Sequence, residues 1–158
     1  LALGFFLFSS PAADPSAEVD EIIEKNTESD EESEEDDNTT PDKIALDTPE
    51  NQVFLTTYYE FPGSFTTNLM NSRKFLQISV GVSTQYDDRV MANVEAHQLA
   101  LRSEILGAVS EFAVEEIEGK TGRDDLSARI KDAINVKLEE LEGFGGVEGV
   151  FFTSFVLQ

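Results

Sequence analysis

A chain of 158 residues with 40% hydrophobic content carries enough apolar material for one domain around one core. Its net charge of -21 opposes phosphate backbones and anionic lipid headgroups, which argues against nucleic acid as a partner and for protein. With no Cys, disulfides, thiolate metal sites and thiol nucleophiles are excluded.

The charge is unevenly placed. Asp14 to Glu50 holds 16 acidic and 2 basic side chains, net -14, against 16 acidic and 9 basic, net -7, from Asn51 to Gln158. At the start, Leu1 to Phe8 is an apolar run that stops at Ser9, Ser10 and Pro11. As a helix it spans roughly 12 Å against a hydrocarbon core of about 30 Å, too short to cross alone. It reads either as the outer end of a transmembrane helix that starts upstream, or as the apolar part of a signal peptide with a cleavage site at Ser10 to Ala13. Both readings export the remainder.

Residues 9–52 have few large apolar side chains and include the acidic run Asp30 to Asp37, so ordering entropy and like-charge repulsion predict a disordered tether. A coil of that length reaches about 35 to 40 Å, and repulsion extends it towards a contour of roughly 150 Å. Calcium loops need alternating acidic positions and a Gly for the sharp turn, which the run lacks. Asn38-Thr39-Thr40 fits a glycosylation sequon, a pattern short enough to arise by chance.

From Val53 the residues become β-branched and aromatic. Val53 to Phe61 reads as a strand, Pro62-Gly63 as a turn and Phe65 to Leu69 as the return of a hairpin. Lys74 to Tyr86 alternates, with Leu76, Ile78, Val80 and Val82 on one face, which predicts a long strand packed on that side. At Asp87 the period changes. Val90, Val94, Leu101, Ile105, Ala108 and Phe112 form a helical stripe capped by Asp87, running to about Ile117, bending near His97 and Gln98, and ended by Gly119 and Gly122. Thr121 and Asp124 fit a capping box opening a second amphipathic helix through Leu126, Ile130, Ala133, Ile134, Leu138 and Leu141, closed by Gly143. In Val147 to Leu157 apolar residues fill both alternating faces, as in a strand buried between layers. The order β-β-β-α-α-β predicts an α+β domain over 53–158: an antiparallel or mixed four-stranded sheet with two amphipathic helices packed on one face.

Reaction chemistry has little to work with. His97 is the single histidine, there is no G-x-S-x-G turn, and its spacing between Val94 and Leu101 reads as a half-buried structural residue. Gly143, Gly145, Gly146 and Gly149 follow a helix and precede a strand, the reverse of a phosphate cradle. The adjacent pairs Asp87-Asp88, Asp124-Asp125 and Glu139-Glu140 read as caps and solvated faces rather than as facing catalytic carboxylates. No catalytic, cofactor-binding or metal-ligating residue is expected, and no cofactor. The Phe residues cluster in strands, where most are expected in the core, and exposed Phe on an edge strand is also a means of recruiting another subunit.

Tyr59-Glu60-Phe61-Pro62 with Thr67-Asn68-Leu69, Lys74 to Val80, Leu101 to Leu106, Ile134-Asn135 and Val150 to Gln158 stand in an order that resembles the flagellar basal body-associated FliL family. The resemblance covers residues 53–158 and departs at Gln98, where the family pattern has a proline. It implies a single-pass inner-membrane protein with a stomatin-like periplasmic domain, assembling as a homo-oligomeric ring around the flagellar stator at the basal body, and no enzyme. It also favours the anchor reading of Leu1 to Phe8. Two other readings stand beside it: a secreted or periplasmic protein-binding domain released by signal-peptide cleavage, without a flagellar role, and a small hydrolase using His97.

Overall fold

The computed structural model describes residues 40–46 and 53–158. Leu1 to Phe8, the acidic run Asp30 to Asp37 and most of the expected tether lie outside the described residues. In chain order the elements are β1 (Ala45–Leu46), β2 (Val53–Phe54), β3 (Thr57–Glu60), β4 (Phe65–Asn68), β5 (Phe75–Thr84), α1 (Asp88–Ala96), α2 (Gln98–Ser110), α3 (Val114–Ile117), α4 (Gly119–Glu142) and β6 (Gly149–Leu157).

The alternation of β5 sets the architecture. Leu76, Ile78, Val80 and Val82 are fully buried beneath the helices, with Gln77, Ser79, Gly81 and Ser83 on the opposite face. β6 runs antiparallel along one side of β5, from Leu76 opposite Leu157 to Ser83 opposite Gly149. The α+β class and the four-stranded antiparallel sheet are as expected from the sequence.

The hairpin expected at Pro62-Gly63 is absent. β3 and β4 lie end to end on the same side of β5, and both are antiparallel to it, so the chain does not reverse between them. Instead Phe61 to Ser64 bulges out of a single interrupted strand, with the Phe61 N–H still donating to the Val80 carbonyl at 3.0 Å. Proline gives up no ladder bond there because it has none to give. The Arg102 guanidinium closes the bulge, donating to the carbonyls of Pro62 and Ser64, each at 2.8 Å, while lying 4.1 Å from the centre of the Phe65 ring. The true reversal joins β4 to β5, where Asn71 takes a left-handed φ of 52° and the Leu69 N–H donates to the Lys74 carbonyl.

β6 is not buried between layers, as its two apolar faces had suggested. It is an edge strand, and its register against β5 slips by one residue between Ser79 and Val80, leaving Thr153 unmatched. The slip changes the phase of the alternation. Val150 and Phe152 before it, and Phe155 and Leu157 after it, therefore all pack on the core face.

The expected first helix is three. His97, at φ -103° and ψ 15°, accepts no helical geometry and separates α1 from α2 at the predicted bend, without a proline. In α3 the Glu116 carboxylate accepts from the Ala113 N–H at 2.7 Å, one half of a capping box whose other half alanine cannot make. The expected cap at Thr121 falls inside α4, which begins at Gly119, and Asp124 instead pairs with Lys120 at 2.6 Å. Gly122 does not end a helix. It lies inside α4, buried against the last turn of α3. Gly143 closes α4 in the left-handed conformation at φ 76°, as expected. Val90, Val94, Leu101, Ile105, Leu126, Ile130, Ile134 and Leu138 form the helical side of the core, all fully buried.

Residues 40–46, assigned to the tether on composition, are held against this fold. The Asp42 N–H donates to Asp87 Oδ2 at 3.1 Å, Asp87 returns its N–H to the Asp42 carbonyl, and Arg89 reaches the Thr40 carbonyl at 2.8 Å. Lys43 pairs with Glu148 at 2.6 Å and sits 4.8 Å from the centre of the Tyr86 ring. β1 then pairs with β2.

Asp87 therefore caps α1 and anchors this strap together. Hydrogen bonds from the Arg89 side chain, then from the Asp42 and Arg89 backbone N–H groups, hold its carboxyl below the usual carboxylate range, with partial burial opposing them. A depressed folded value adds stability that is present above the unfolded value and lost as pH falls through the folded one. Asp87→Asn keeps the cap but not the charge. It is expected to cost about 1 kcal/mol at pH 7, with the difference from wild type closing in acid as both are followed by thermal melts from pH 7 to pH 2. A gap that stays constant across that range would show that the charge contributes nothing.

Candidate interaction surface

All the described helices lie on one face of the sheet, so the other face meets solvent. On it β3 contributes Tyr58 and Glu60, β5 contributes Gly81 and Ser83, and β6 contributes Gly149, Phe151 and Thr153. Registration places Tyr58, Ser83 and Gly149 in one row, and Glu60, Gly81 and Phe151 in the next. Because Gly149 has no side chain, the Phe151 ring leans over it. A Cβ added at Gly149 would stand 3.0 Å from the Phe151 ring, and the Tyr58 and Phe151 rings are 6.2 Å apart, tilted by 53°. Ser83 is covered as a result.

The rings themselves remain open, Tyr58 at 71% and Phe151 at 49% exposure, and between them runs a groove of about 410 Å³ that Glu60 and Thr153 complete. Glu60 Oε1 accepts from the Thr153 hydroxyl at 2.8 Å, across β5. The unmatched residue of β6 is thus the one that fixes the carboxylate over the strand. An aromatic pair beside one acidic group on a water-facing sheet can bind, but it holds no nucleophile, base or oxyanion donors at reacting distance.

The residues weighed as sites from sequence lie elsewhere and apart. His97 stands between α1 and α2, half-buried, with Nε2 at 2.5 Å from Glu142 Oε1 at the end of α4. Glu142 is its side-chain partner, and no serine or threonine hydroxyl bonds to it among the described residues. Asp87 caps α1, and Asp124 pairs with Lys120 on an exposed helix face. Glu140 pairs with Lys137 at 2.5 Å, and Lys137 also lies 3.3 Å from Glu104. Gly143, Gly145 and Gly146 belong to the connection between α4 and β6, and Gly149 opens β6. No group of three or more His, Asp or Glu that could hold a metal occurs among the described residues. No helix among them is long and apolar enough to cross a membrane.

Two residues carry structural roles that the sequence reading left unassigned. One is Arg102 at the bulge. The other is Asn135 on α4, whose side chain donates to the Val147 carbonyl at 2.8 Å and accepts from the Val147 N–H at 2.9 Å, in the manner of a strand neighbour. With Val147 buried, those two backbone groups would otherwise be unpaired, at about 1 to 3 kcal/mol each. Helical spacing could place Asn135 beside the apolar stripe of α4, but nothing in its own identity announces which backbone it meets.

Comparison with known proteins bears on this geometry. The family described as flagellar basal body-associated protein FliL matches residues 58–158, from Tyr58 of the groove to Gln158, one residue past β6. The Flagellar protein FliL of Bacillus subtilis is 29% identical over 93 residues, 59% of this chain and 62% of that protein. The Flagellar protein FliL of Aquifex aeolicus is 27% identical over 101 residues, 63% of this chain and 60% of that protein. The aligned stretch thus spans about three fifths of each relative's length. That family is one of flagellar accessory proteins and not of enzymes. A match running through β3, the bulge held by Arg102, the Asn135 clasp and both long strands covers well over half of the sequence, and the chain belongs to the flagellar basal body-associated protein FliL family.

Proposed function

We propose that this chain is an accessory protein of the flagellar motor, a scaffold that oligomerises around the stator and supports it so as to promote rotation and motility. Family membership over residues 58–158 carries the reading, since the family is described by its association with the flagellar basal body and both relatives are named as flagellar proteins. In this reading Leu1 to Phe8 is the outer end of a single-pass inner-membrane anchor, residues 9–39 are the acidic tether, and the folded domain stands in the periplasm at the basal body. The physical requirements are modest: a set height, lateral contacts and no reaction. Leu99 on α2 and Val136 on α4, 83% and 62% exposed, are apolar side chains that the helical layer leaves to solvent and that suit contact between copies.

Deleting the gene tests the reading. Swimming in soft agar is expected to fall and to return with the full chain, and stator complexes purified from membranes are expected to contain the protein. Undiminished swimming, together with stators that never contain it, would remove the proposal. Recovery of a soluble form beginning at Asp14 would favour a secreted binding domain instead.

A further inference from the structure

β6 is an edge strand, and among the described residues no strand pairs with its outer side. The Gln158 N–H donates to the Phe75 carbonyl at 3.0 Å and the Phe75 N–H to the Gln158 carbonyl at 2.8 Å, so this is a hydrogen-bonded pair of the antiparallel ladder. Alternation from that pair makes Val156 and Ser154 the next residues bonded to β5, and turns the N–H and C=O groups of Phe155 and Leu157 towards the open edge. Exposed edges are ordinarily guarded by Lys, Pro or an inward charge. From Gly149 to Leu157 this strand has no charged residue and no proline.

Charge says what suits the edge. Glu60 is the one charged residue of the neighbouring groove, and its hydrogen bond to Thr153 of β6 holds its carboxylate over β5, one strand in from the edge strand. An added strand would lie about 4.8 Å beyond β6. A Lys or Arg side chain on it could cross Phe151, stem along the ring and charge near Glu60. A second copy of this chain meets the site poorly. It brings a net charge of -21, and most cations of its described residues, Lys43, Arg89, Arg102, Lys120, Arg123, Arg129 and Lys137, are engaged with its own groups, which leaves Arg73, Lys74 and Lys131 to offer.

We infer that the open edge of β6 receives an extended segment of another protein as an added strand, with a Lys or Arg of that segment seated on Phe151 and Tyr58 against Glu60. Main-chain bonds to Phe155 and Leu157 hold the segment, and the cation selects it. This deepens the scaffold reading by giving the chemistry of one partner. The test reads binding alone, so its failure leaves the flagellar role to be judged by swimming.

The probe is a nine-residue peptide alternating threonine and valine with one central lysine, compared with the same peptide carrying a central glutamate, titrated calorimetrically into the 158-residue chain. The lysine peptide is expected to bind at least about tenfold more tightly than the glutamate peptide. In its complex the amides of Phe155 and Leu157 should gain protection from hydrogen exchange, while those of Ser154 and Val156 change little. Glu60→Gln, which can still accept from Thr153, should reduce the preference for lysine to about twofold. Phe151→Ala should weaken the lysine peptide about tenfold while lowering the melting temperature by only a few degrees. Equal affinity for the two peptides, no saturable binding, or protection confined to other strands would overturn the inference. So would protection of Phe155 and Leu157 in the free chain that grows with its concentration, because a second copy would then own the edge.

Discussion

Phe61→Ala is expected to destabilise the fold by about 4 kcal/mol, the range for emptying a large aromatic site. Phe61 is 1% exposed, and it occupies the strand interruption where the backbone is held by only one ladder bond of its own and by Arg102. Its ring meets Tyr59 edge to face at 5.3 Å and Phe65 at 5.8 Å, so removing it also takes away two aromatic contacts. β3 and β4 hold β5 from opposite ends of this bulge, and neither can shift along β5 without losing register, so collapse into the void is limited. In a thermal melt the midpoint should fall by roughly 12 to 15 °C. Phe61→Leu, which keeps most of the volume, should cost less than about 2 kcal/mol. A fall of only a few degrees for alanine would mean that the interruption is not a packed part of the core.

Gly122→Ala should act against the ordinary rule. In an exposed helix interior this change gains about 1 kcal/mol, because alanine restricts the unfolded chain and suits the helix. Here a Cβ would stand 2.0 Å from the Glu116 carbonyl oxygen and 2.8 Å from the Ile117 Cα, which are backbone atoms unable to rotate aside. Either α3 must move off α4, unseating fully buried Ile117, or α4 must unwind its first turn. We expect a loss of about 3 kcal/mol, at the upper end for overpacking, read as a shift of the denaturant midpoint with little change in slope. Gly107, on α2, has open space around its Cβ position, and Gly107→Ala should be neutral or stabilising by comparison. If both substitutions behaved alike, the close approach of α3 to α4 would be wrong.

What the sequence reveals, and what it hides, follows from the range of the interactions concerned. The alternation of Leu76, Ile78, Val80 and Val82 reports a local property, a strand with one wet face, and it reads correctly. The helical stripes and the turn at Gly143 are local in the same sense. Pro62-Gly63 is not. Both residues suit a reversal, but they suit a bulge equally, and the choice depends on Arg102 forty residues on, whose guanidinium meets the Pro62 carbonyl. β6 misleads for a related reason: periodicity assumes an unbroken count, and the extra residue at Thr153 makes one-sided packing look two-sided. Thr121 and Asp124 have the right spacing for a cap, yet the backbone had already begun to turn at Gly119, where φ is 81°. The groove could not be found from Tyr58, Glu60, Phe151 and Thr153 as residue types, because two of them lie at one end of the domain sequence and two at the other. Only pairing through β5 unites them.

The strap formed by residues 40–46 decides where a pull from upstream is felt. Tension reaching Thr40 is met by Arg89, Asp87 and Glu148 at the rim of the sheet, before any load arrives at Val53. Each of these side-chain holds uses a charged group within reach of water, so they can be undone singly without disturbing the hydrocarbon interior. Releasing them together with the β1–β2 pairing would free 13 residues, 40–52, a segment with a contour of roughly 40 Å, with β3 to β6 still intact.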